Sequence, residues 1–119
     1  MTDSRGINVT TLGTVITARL VGPSIEERQA SQILDGAKSA IAEAGDAIRH
    51  LVLDFEDVSF INSSGLAACI EVRNAASAQG ATTIIYRPSE AVIQLFRMVK
   101  VDRLYTFAHN AQELEACVS

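Results

Sequence analysis

The sequence predicts a single α/β domain in which a mixed β-sheet packs against helices, in the order ββαβαβαβα. Its length of 119 residues suits one folded unit, so we expect residues 1–119 to form one domain. With 48% hydrophobic but only 5% aromatic residues, the core is expected to consist of Ala, Val, Ile and Leu. Strand-like segments alternate with segments of helical period, which indicates a largely parallel sheet with right-handed crossovers.

The first two strands are predicted within residues 7–21. Ile7 and Val9 precede a turn near Gly13, and apolar and polar residues then alternate through residues 16–20. This pattern is typical of an antiparallel hairpin with one solvated face. A homodimer that forms through the edge of this hairpin is also compatible with the sequence.

The first helix is expected after Gly22 and Pro23, which interrupt the second strand. Ser24 and Glu27 have the spacing of a capping box, so we expect the helix to begin there and to end at Gly45. Its apolar positions at helical spacing are Ala30, Ile33, Ala37, Ala40, Ile41 and Ala44.

A buried parallel strand is predicted at residues 51–55, followed by a loop at residues 56–61. Asn62 or Ser63 then caps a second helix that runs to about Gln79. The remaining predicted elements are a strand at 82–86, a helix opened by Pro88 and Ser89, a strand near 104–107, and a last helix with a capping box at Asn110 and Glu113. The third helix is expected to bury Val92, Leu95, Phe96 and Val99, and the last to carry Leu114, Cys117 and Val118 inward.

Composition excludes several classes of partner and site. The formal net charge of −4 and the pI near 5.0 argue against nucleic acid and anionic membranes as partners. No stretch approaches the ~18 apolar residues of a membrane span, and the first six residues lack an apolar signal core, so we expect a cytoplasmic protein. Cys69 and Cys117 have neither zinc nor disulfide spacing and are expected to be buried free thiols, with no metal bound.

No catalytic constellation is found. The sequence lacks GxGxxG, GxxxxGK[ST] and GxSxG, so phosphate cradles, cofactor sites and a hydrolase nucleophile are not predicted. The acidic pair at Glu26 and Glu27 suits a helix start, and Glu56 and Asp57 suit a solvated loop. We therefore expect no enzyme and no cofactor.

The segment that carries the most information is residues 51–66, which runs from a buried strand into the start of a helix. Loops after the carboxyl ends of parallel strands present functional groups, and here that position displays Ser63 and Ser64. A serine at a helix start is either a cap or, because free amides favour anions there, a position that tolerates phosphate. Both interpretations are open on chemistry alone. The acids Asp54 and Glu56, with Asp57, are expected to be available to a basic partner surface.

Residues 53–66 resemble the signature of STAS domains, in particular that of bacterial anti-sigma factor antagonists. The positions that match are Asp57, Ser59, Ile61, Ser63, Ser64, Gly65 and Leu66. Residues 88–104 are also similar to the third helix of that family. The resemblance implies a partner-switching phosphoprotein of bacterial transcription regulation. It binds a serine-kinase anti-sigma factor, which uses ATP to phosphorylate Ser63, and a phosphatase resets it.

Two departures from that family pattern leave an alternative open. Asn62 replaces the aspartate that usually precedes the phosphoacceptor, and the loop at residues 22–25 lacks the usual aspartate. The alternative is a non-phosphorylated STAS adaptor, bound to a transporter ATPase or within a stress-signalling assembly. A nucleotide-binding domain has little support, because no glycine-rich cradle exists. The residues that the resemblance places at the partner surface are Gly22, Pro23, Ser24, Asp57, Ser59, Asn62, Ser64, Gly65 and Leu66.

Overall fold

A five-stranded mixed sheet forms the centre of the computed structural model, which describes residues 7–118. The strands in chain order are β1 (Ile7–Leu12), β2 (Val15–Leu20), β3 (Ser24–Ile25), β4 (His50–Asp54), β5 (Phe60–Ile61), β6 (Thr82–Tyr86) and β7 (Thr106–Ala108). The helices are α1 (Glu27–Ala44), α2 (Ser63–Ala78), α3 (Glu90–Met98) and α4 (Ala111–Val118). The sheet order is β1-β2-β4-β6-β7, with only β1 antiparallel to its neighbour. The predicted hairpin and the largely parallel sheet are confirmed.

The two faces of the sheet are covered differently. Successive side chains of a strand point to opposite faces, so Leu51 and Leu53 face the main core beneath α1 and α2, and Val52 faces a smaller cluster beneath α4. The main core is mostly aliphatic, as expected, but it also contains Phe55 and Phe96, both fully buried. The predicted burial of Phe96 is confirmed, and the expectation of a purely aliphatic core is wrong at this end of the sheet.

Aromatic packing fixes α3 against the sheet. The Phe96 ring packs edge-on against Phe55 with 6.2 Å between centroids, and against Tyr105 with 5.2 Å. A third edge-on contact, again with 6.2 Å between centroids, joins Phe96 to Phe107 of β7. Such edge-to-face pairs stabilise a fold by roughly 0.5–1.5 kcal/mol beyond the area that they bury. The position of α3 is thus set from one side by a cluster of rings.

The start of α1 differs from the prediction. Ser24 and Ile25 form β3, which pairs in parallel with β5, and the helix begins only at Glu27. The capping box is displaced accordingly, because Gln29 Oε1 accepts a hydrogen bond of 3.1 Å from the Glu26 backbone N–H. Ile25 is fully buried, so tertiary burial prevails over the local capping signal of Ser24. The predicted loop at 56–61 likewise contains β5.

The other helices begin where the sequence predicts, with two differences in detail. Asn62 caps α2 and Ser89 caps α3, which confirms both predicted starts. In α3, however, Ile93 is buried while Val99 lies beyond the helix end and is 44% exposed, so the prediction for Val99 is wrong.

At α4, Asn110 Oδ1 accepts the Glu113 N–H at 2.9 Å, as a capping box requires. The Glu113 carboxylate in turn accepts a hydrogen bond from the N–H of His109, whereas in a capping box it would accept from the N–H of Asn110. The strand predicted near residues 104–107 begins two residues later and ends one residue later, because β7 (Thr106–Ala108) follows a short 3-10 helix at Asp102–Leu104.

The two cysteines are free, but they differ in burial. Cys69 of α2 is fully buried, and burial raises the pKa of its thiol to about 12. Cys117 of α4 is only half-buried, so the prediction of two buried thiols is wrong for Cys117. The reason is that α4 covers a small cluster at the edge of the domain, whereas α2 lies on the main core.

We expect this buried thiol to make stability fall at alkaline pH. The folded-state pKa of Cys69 lies above the ordinary value of 9.0, so its contribution is complete below pH 9 and decreases as the pH rises towards 12. The free energy of unfolding should fall by about 1.4 kcal/mol between pH 8 and pH 10. Urea denaturation followed by circular dichroism measures this decrease.

Cys69→Ala is the control for that titration. The variant should lose most of the decrease between pH 8 and 10, whatever its stability at pH 7. Burial also raises the pKa of Tyr105, whose ordinary value is 10.0, so its effect is still small at pH 10 and grows above that pH. An equal decrease in Cys69→Ala and the parent protein would contradict the assignment.

Candidate functional site

The candidate site lies where the connections after β2 and β4 meet. The Pro23 carbonyl accepts hydrogen bonds from the N–H groups of Ser59 at 2.9 Å and Phe60 at 3.1 Å. The Ile25 carbonyl accepts a third from the N–H of Asn62 at 3.1 Å. We call residues 22–25 and 58–62, joined by these bonds, the loop junction. It supports the first turn of α2.

Two glycines allow this close approach. A Cβ atom on Gly22 would collide with the backbone carbonyl of Asp57. A Cβ atom on Gly65 would lie 2.6 Å from Ile61 Cγ1 and 2.7 Å from Ile25 Cγ2, closer than carbon atoms pack. Gly65 therefore lets the first turn of α2 rest directly on β3 and β5.

Asn62 performs the capping of α2. Its side-chain Oδ1 accepts the Gly65 N–H at 3.0 Å, and its carbonyl accepts the Leu66 N–H at 2.9 Å, the first bond of the helix. The sequence allowed either Asn62 or Ser63 as the cap of α2, and the structure shows that Asn62 is the cap. Ser63, the first residue of α2, is exposed, and Ser64 is half-buried.

The backbone at this helix start suits an anion. The N–H groups of Ser63 and Ser64 precede the first hydrogen bond of α2 and therefore have no acceptor within the helix. They point out of the N-terminus, where the helix dipole also favours negative charge. A phosphoryl group on the Ser63 hydroxyl would thus be electrostatically tolerated at this position.

The residues that the resemblance assigns to the partner surface do come together at the loop junction and the start of α2. Seven of them are exposed or half-buried, namely Gly22, Pro23, Ser24, Asp57, Ser59, Asn62 and Ser64. Gly65 and Leu66 are buried beneath them and take part in the packing of α2.

The acids that precede Ser63 are already engaged within the chain. Asp54 is nearly buried, and its Oδ1 accepts the N–H of Glu56 at 3.0 Å. Glu56 Oε2 lies 3.0 Å from Arg87 Nη1, and Asp57 Oδ2 lies 3.1 Å from Arg19 Nη2. The predicted open acidic patch is therefore corrected to one buried acid and two exposed ion pairs. Such exposed pairs add little to the stability of the fold, because solvent screens the two charges.

An apolar groove that sequence reasoning missed lies between β5 and α3. We call it the α3 groove; its volume is about 490 Å³, and it is lined by Ser59, Phe60, Ile61, Glu90, Ala91, Val92, Gln94, Leu95 and Met98. Phe60 is 53% exposed and Met98 is 74% exposed. One feature of the sequence could have indicated the groove: the apolar residues of α3 occupy more than one face of the helix, which is more than packing on a single core requires.

The described part of the chain contains neither a cluster of metal-ligating side chains nor a membrane-spanning helix. Among residues 7–118, no group of three or more His, Cys, Asp or Glu side chains is arranged to hold a metal ion. None of the helices in that range is long and apolar enough to cross a membrane.

The family is decided by a family model described as the STAS domain, which matches residues 6–114. The chain belongs to the STAS domain family. The residues of the loop junction and of the start of α2 all lie within the matched range.

Solved structures with the same fold include several STAS proteins. The anti-sigma factor antagonist SpoIIAA in its unphosphorylated form is 24% identical with a TM-score of 0.67, and the match covers 93% of this chain and 94% of that one. The phosphorylated form of Bacillus SpoIIAA is 21% identical, with a TM-score of 0.72 and coverages of 95% and 99%. An anti-sigma-factor antagonist (STAS) domain protein from Planctomyces limnophilus is 20% identical, with a TM-score of 0.82 and coverages of 95% and 98%.

A fourth structure places the same fold inside a membrane transporter. The murine anion transporter Slc26a9 is 16% identical with a TM-score of 0.67, and the match covers 92% of this chain but 19% of that one. These likenesses confirm the α/β fold of the STAS domain.

We expect Gly65→Ala to destabilise the protein by about 1–3 kcal/mol, because the added methyl group has no space between Ile25 and Ile61. The matched control is Gly36→Ala in α1, where the new Cβ meets only side-chain atoms of Ile7, Cγ2 at 2.9 Å and Cδ1 at 3.9 Å. In a helix, alanine is more favourable than glycine by about 1 kcal/mol, and this difference offsets the cost of the contact with Ile7. Equal stability losses in the two variants, measured by urea denaturation, would show that the Gly65 contact is unimportant.

The cap gives a second prediction. Asn62→Ala should lower the free energy of unfolding by about 1 kcal/mol, because the Gly65 N–H loses its acceptor. Asn62→Asp keeps an acceptor oxygen and adds a charge that the helix dipole favours, so stability should be unchanged or greater by about 0.3–1 kcal/mol. Thermal and urea unfolding of both variants check this, and a cap role is refuted if Asn62→Asp loses as much as Asn62→Ala.

Proposed function

We propose that this STAS domain is an anti-sigma factor antagonist that binds a serine-kinase anti-sigma factor and is switched off by phosphorylation of Ser63. One observation carries the proposal: Ser63 presents an exposed hydroxyl at the start of α2, while the neighbouring Asn62 caps the helix. Because capping does not use the Ser63 hydroxyl, that group is available for modification.

The switch acts through charge on the surface. A phosphate on Ser63 adds about −1.5 to −2 charges, and the free N–H groups at the helix start favour it. The cap at Asn62 and the packing of Gly65 lie beneath the modified group, so the fold persists. A partner that docks an acidic or apolar surface on the start of α2 is then repelled.

The chemistry of the switch belongs to the partners. The kinase binds ATP; the Ser63 oxygen bonds to the γ-phosphorus as its bond to ADP breaks, ADP leaves, and the hydroxyl proton is released. A phosphatase later hydrolyses the ester with water, which restores the Ser63 hydroxyl and releases inorganic phosphate. This domain provides the substrate residue and no catalytic group, so we propose that it is not an enzyme. The proposed setting is the bacterial cytoplasm, where kinase, phosphatase and sigma factor are all present.

Similarity to SpoIIAA supports the proposal. SpoIIAA is an anti-sigma factor antagonist whose structure is known both unphosphorylated and phosphorylated, and its fold matches nearly all of this chain. In this chain Ser63, Ser64 and Gly65 lie at the start of a helix, in the connection that follows the buried strand β4.

A second candidate function is a STAS adaptor that works without phosphorylation, bound to a transporter ATPase or within a stress-signalling assembly. The observation that favours it is Asn62, which lacks the carboxylate that usually precedes the phosphoacceptor in the family. The fold shared with the matched part of the anion transporter Slc26a9 is compatible with this function.

Tagged protein captured from the native cell under phosphatase inhibition tests the first function. We expect mass spectrometry to place a phosphate on Ser63, to lose it in Ser63→Ala and to retain it in Ser64→Ala. We expect Ser63→Glu to weaken binding of the captured kinase at least ~10-fold, equivalent to about 1.4 kcal/mol, without a change in the melting temperature beyond a few degrees.

Two outcomes decide against the antagonist. Phosphate that persists in Ser63→Ala would place the acceptor elsewhere. The adaptor would be favoured if protein without phosphate captured a transporter ATPase, and if Ser63→Glu bound that ATPase with the same affinity as the parent protein.

A further inference from the structure

We propose that the α3 groove, formed between β5 and α3, binds an amphipathic helix of a partner protein that lies antiparallel to α3. The inference goes beyond the proposed switch, because it rests on the groove and not on modification of Ser63. It gives the domain a second contact surface beside the start of α2.

The exposure of apolar side chains is concentrated at this groove. Within residues 7–118 the exposed large hydrophobic side chains are Leu12, Phe60, Met98 and Val99. Phe60 and Met98 line the groove, and Val99 follows directly at the end of α3. Glu90 is the only charged residue of the lining. Concentrated exposed apolar side chains on a small domain mark an interaction site.

The shape of the groove favours a helix. Its lining on α3 runs from Glu90 to Met98, eight residue steps of ~1.5 Å, so the groove is about 12 Å long and matches two turns of an occupant helix. The opposite wall is β5, which has two residues and is too short to template an added strand. Apolar residues at helical spacing on one partner and an apolar groove on the other are typical of helix-in-groove recognition.

The charges along α3 set the direction of the occupant. Glu90 stands in the first turn of α3, Arg97 in the last turn, and Lys100 two residues beyond the helix end. Helices favour acidic residues in their first turn and basic residues in their last. Glu90 is the charged residue of the groove lining, whereas Arg97 lines a separate cavity with Asp102 and His109. An antiparallel occupant therefore places its basic last turn near Glu90.

The groove is continuous with the segment that carries Ser63. Its β5 wall, Phe60 and Ile61, leads through the capping residue Asn62 directly into Ser63 at the start of α2. A partner whose helix occupies the groove therefore lies beside the phosphoacceptor, so one partner can contact both.

The test uses a synthetic helix of about 14 residues with leucines at i, i+3, i+4, i+7 and i+11, glutamates in its first turn and arginines in its last. A second peptide exchanges the two charged ends. Binding to the full-length protein is measured by fluorescence anisotropy and mapped by amide NMR shifts. We expect shifts at residues 59–61 and 90–98, and binding at least ~3-fold tighter for the first peptide.

Substitutions identify the surface. Met98→Ser, at a side chain that is 74% exposed, should weaken binding at least ~10-fold, and Leu12→Ser, at the other exposed apolar side chain, should leave it within about twofold. Phe60→Ser should weaken peptide binding to the same extent as Met98→Ser. If Phe60→Ser fails to fold, Ala91→Glu, at an exposed lining position, replaces it. Ser63→Ala should bind normally, which separates this proposal from the phosphorylation switch.

Three results would overturn the proposal. They are no binding at millimolar peptide, shifts that map away from the groove, or equal effects of Leu12→Ser and Met98→Ser. Sedimentation velocity examines the rival occupant: a dimer of the parent protein that Met98→Ser dissociates would assign the groove to a second copy of this chain and also overturn the proposal.

Discussion

Three backbone hydrogen bonds join the connections that follow β2 and β4, and the arrangement of the candidate site depends on them. Carbonyls of Pro23 and Ile25 accept from N–H groups of residues 59–62, across more than thirty positions of sequence. The bonds hold β3 beside β5, and Gly22 and Gly65 leave the space that they need. Because the start of α2 rests on this loop junction, the exposure of Ser63 follows from backbone geometry and from the absence of two side chains.

The contacts that hold the start of α2 do not involve Ser63, the proposed site of modification. Asn62 satisfies the Gly65 N–H, and the buried Gly65 packs the helix on the loop junction, so the exposed Ser63 has no part in either contact. A change of charge on Ser63 therefore alters what a partner meets without removing a contact of the fold. This separation is what a reversible switch requires, since a modification that also unfolded the helix would not be reset by a phosphatase alone.

Hydrophobic periodicity predicted all five strands of the main sheet and all four helices, because each is long enough to show a period or a cap. It failed at Ser24–Ile25 and at Phe60–Ile61, since two-residue strands carry no period and form only through each other. The resemblance to the STAS signature singled out Ser63 as the expected phosphoacceptor. The hydrogen bond that Asn62 accepts was needed to show which residue caps α2. The α3 groove was missed because a sequence does not say which apolar face of a helix remains uncovered.

The charges around Ser63 also bear on how a phosphate would act. Arg19 and Arg87 already contact Asp57 and Glu56, so either arginine would have to leave its carboxylate to meet a phosphate. These exposed pairs are weak, and such an exchange would cost little. After such an exchange the carboxylate of Asp57 or Glu56 would be unpaired. The net charge of this part of the surface would therefore become more negative by the full charge of the phosphate, whether or not an arginine moves to it. The proposed switch by charge repulsion would therefore need no rearrangement of the fold, because both arginines of these ion pairs already contact a carboxylate.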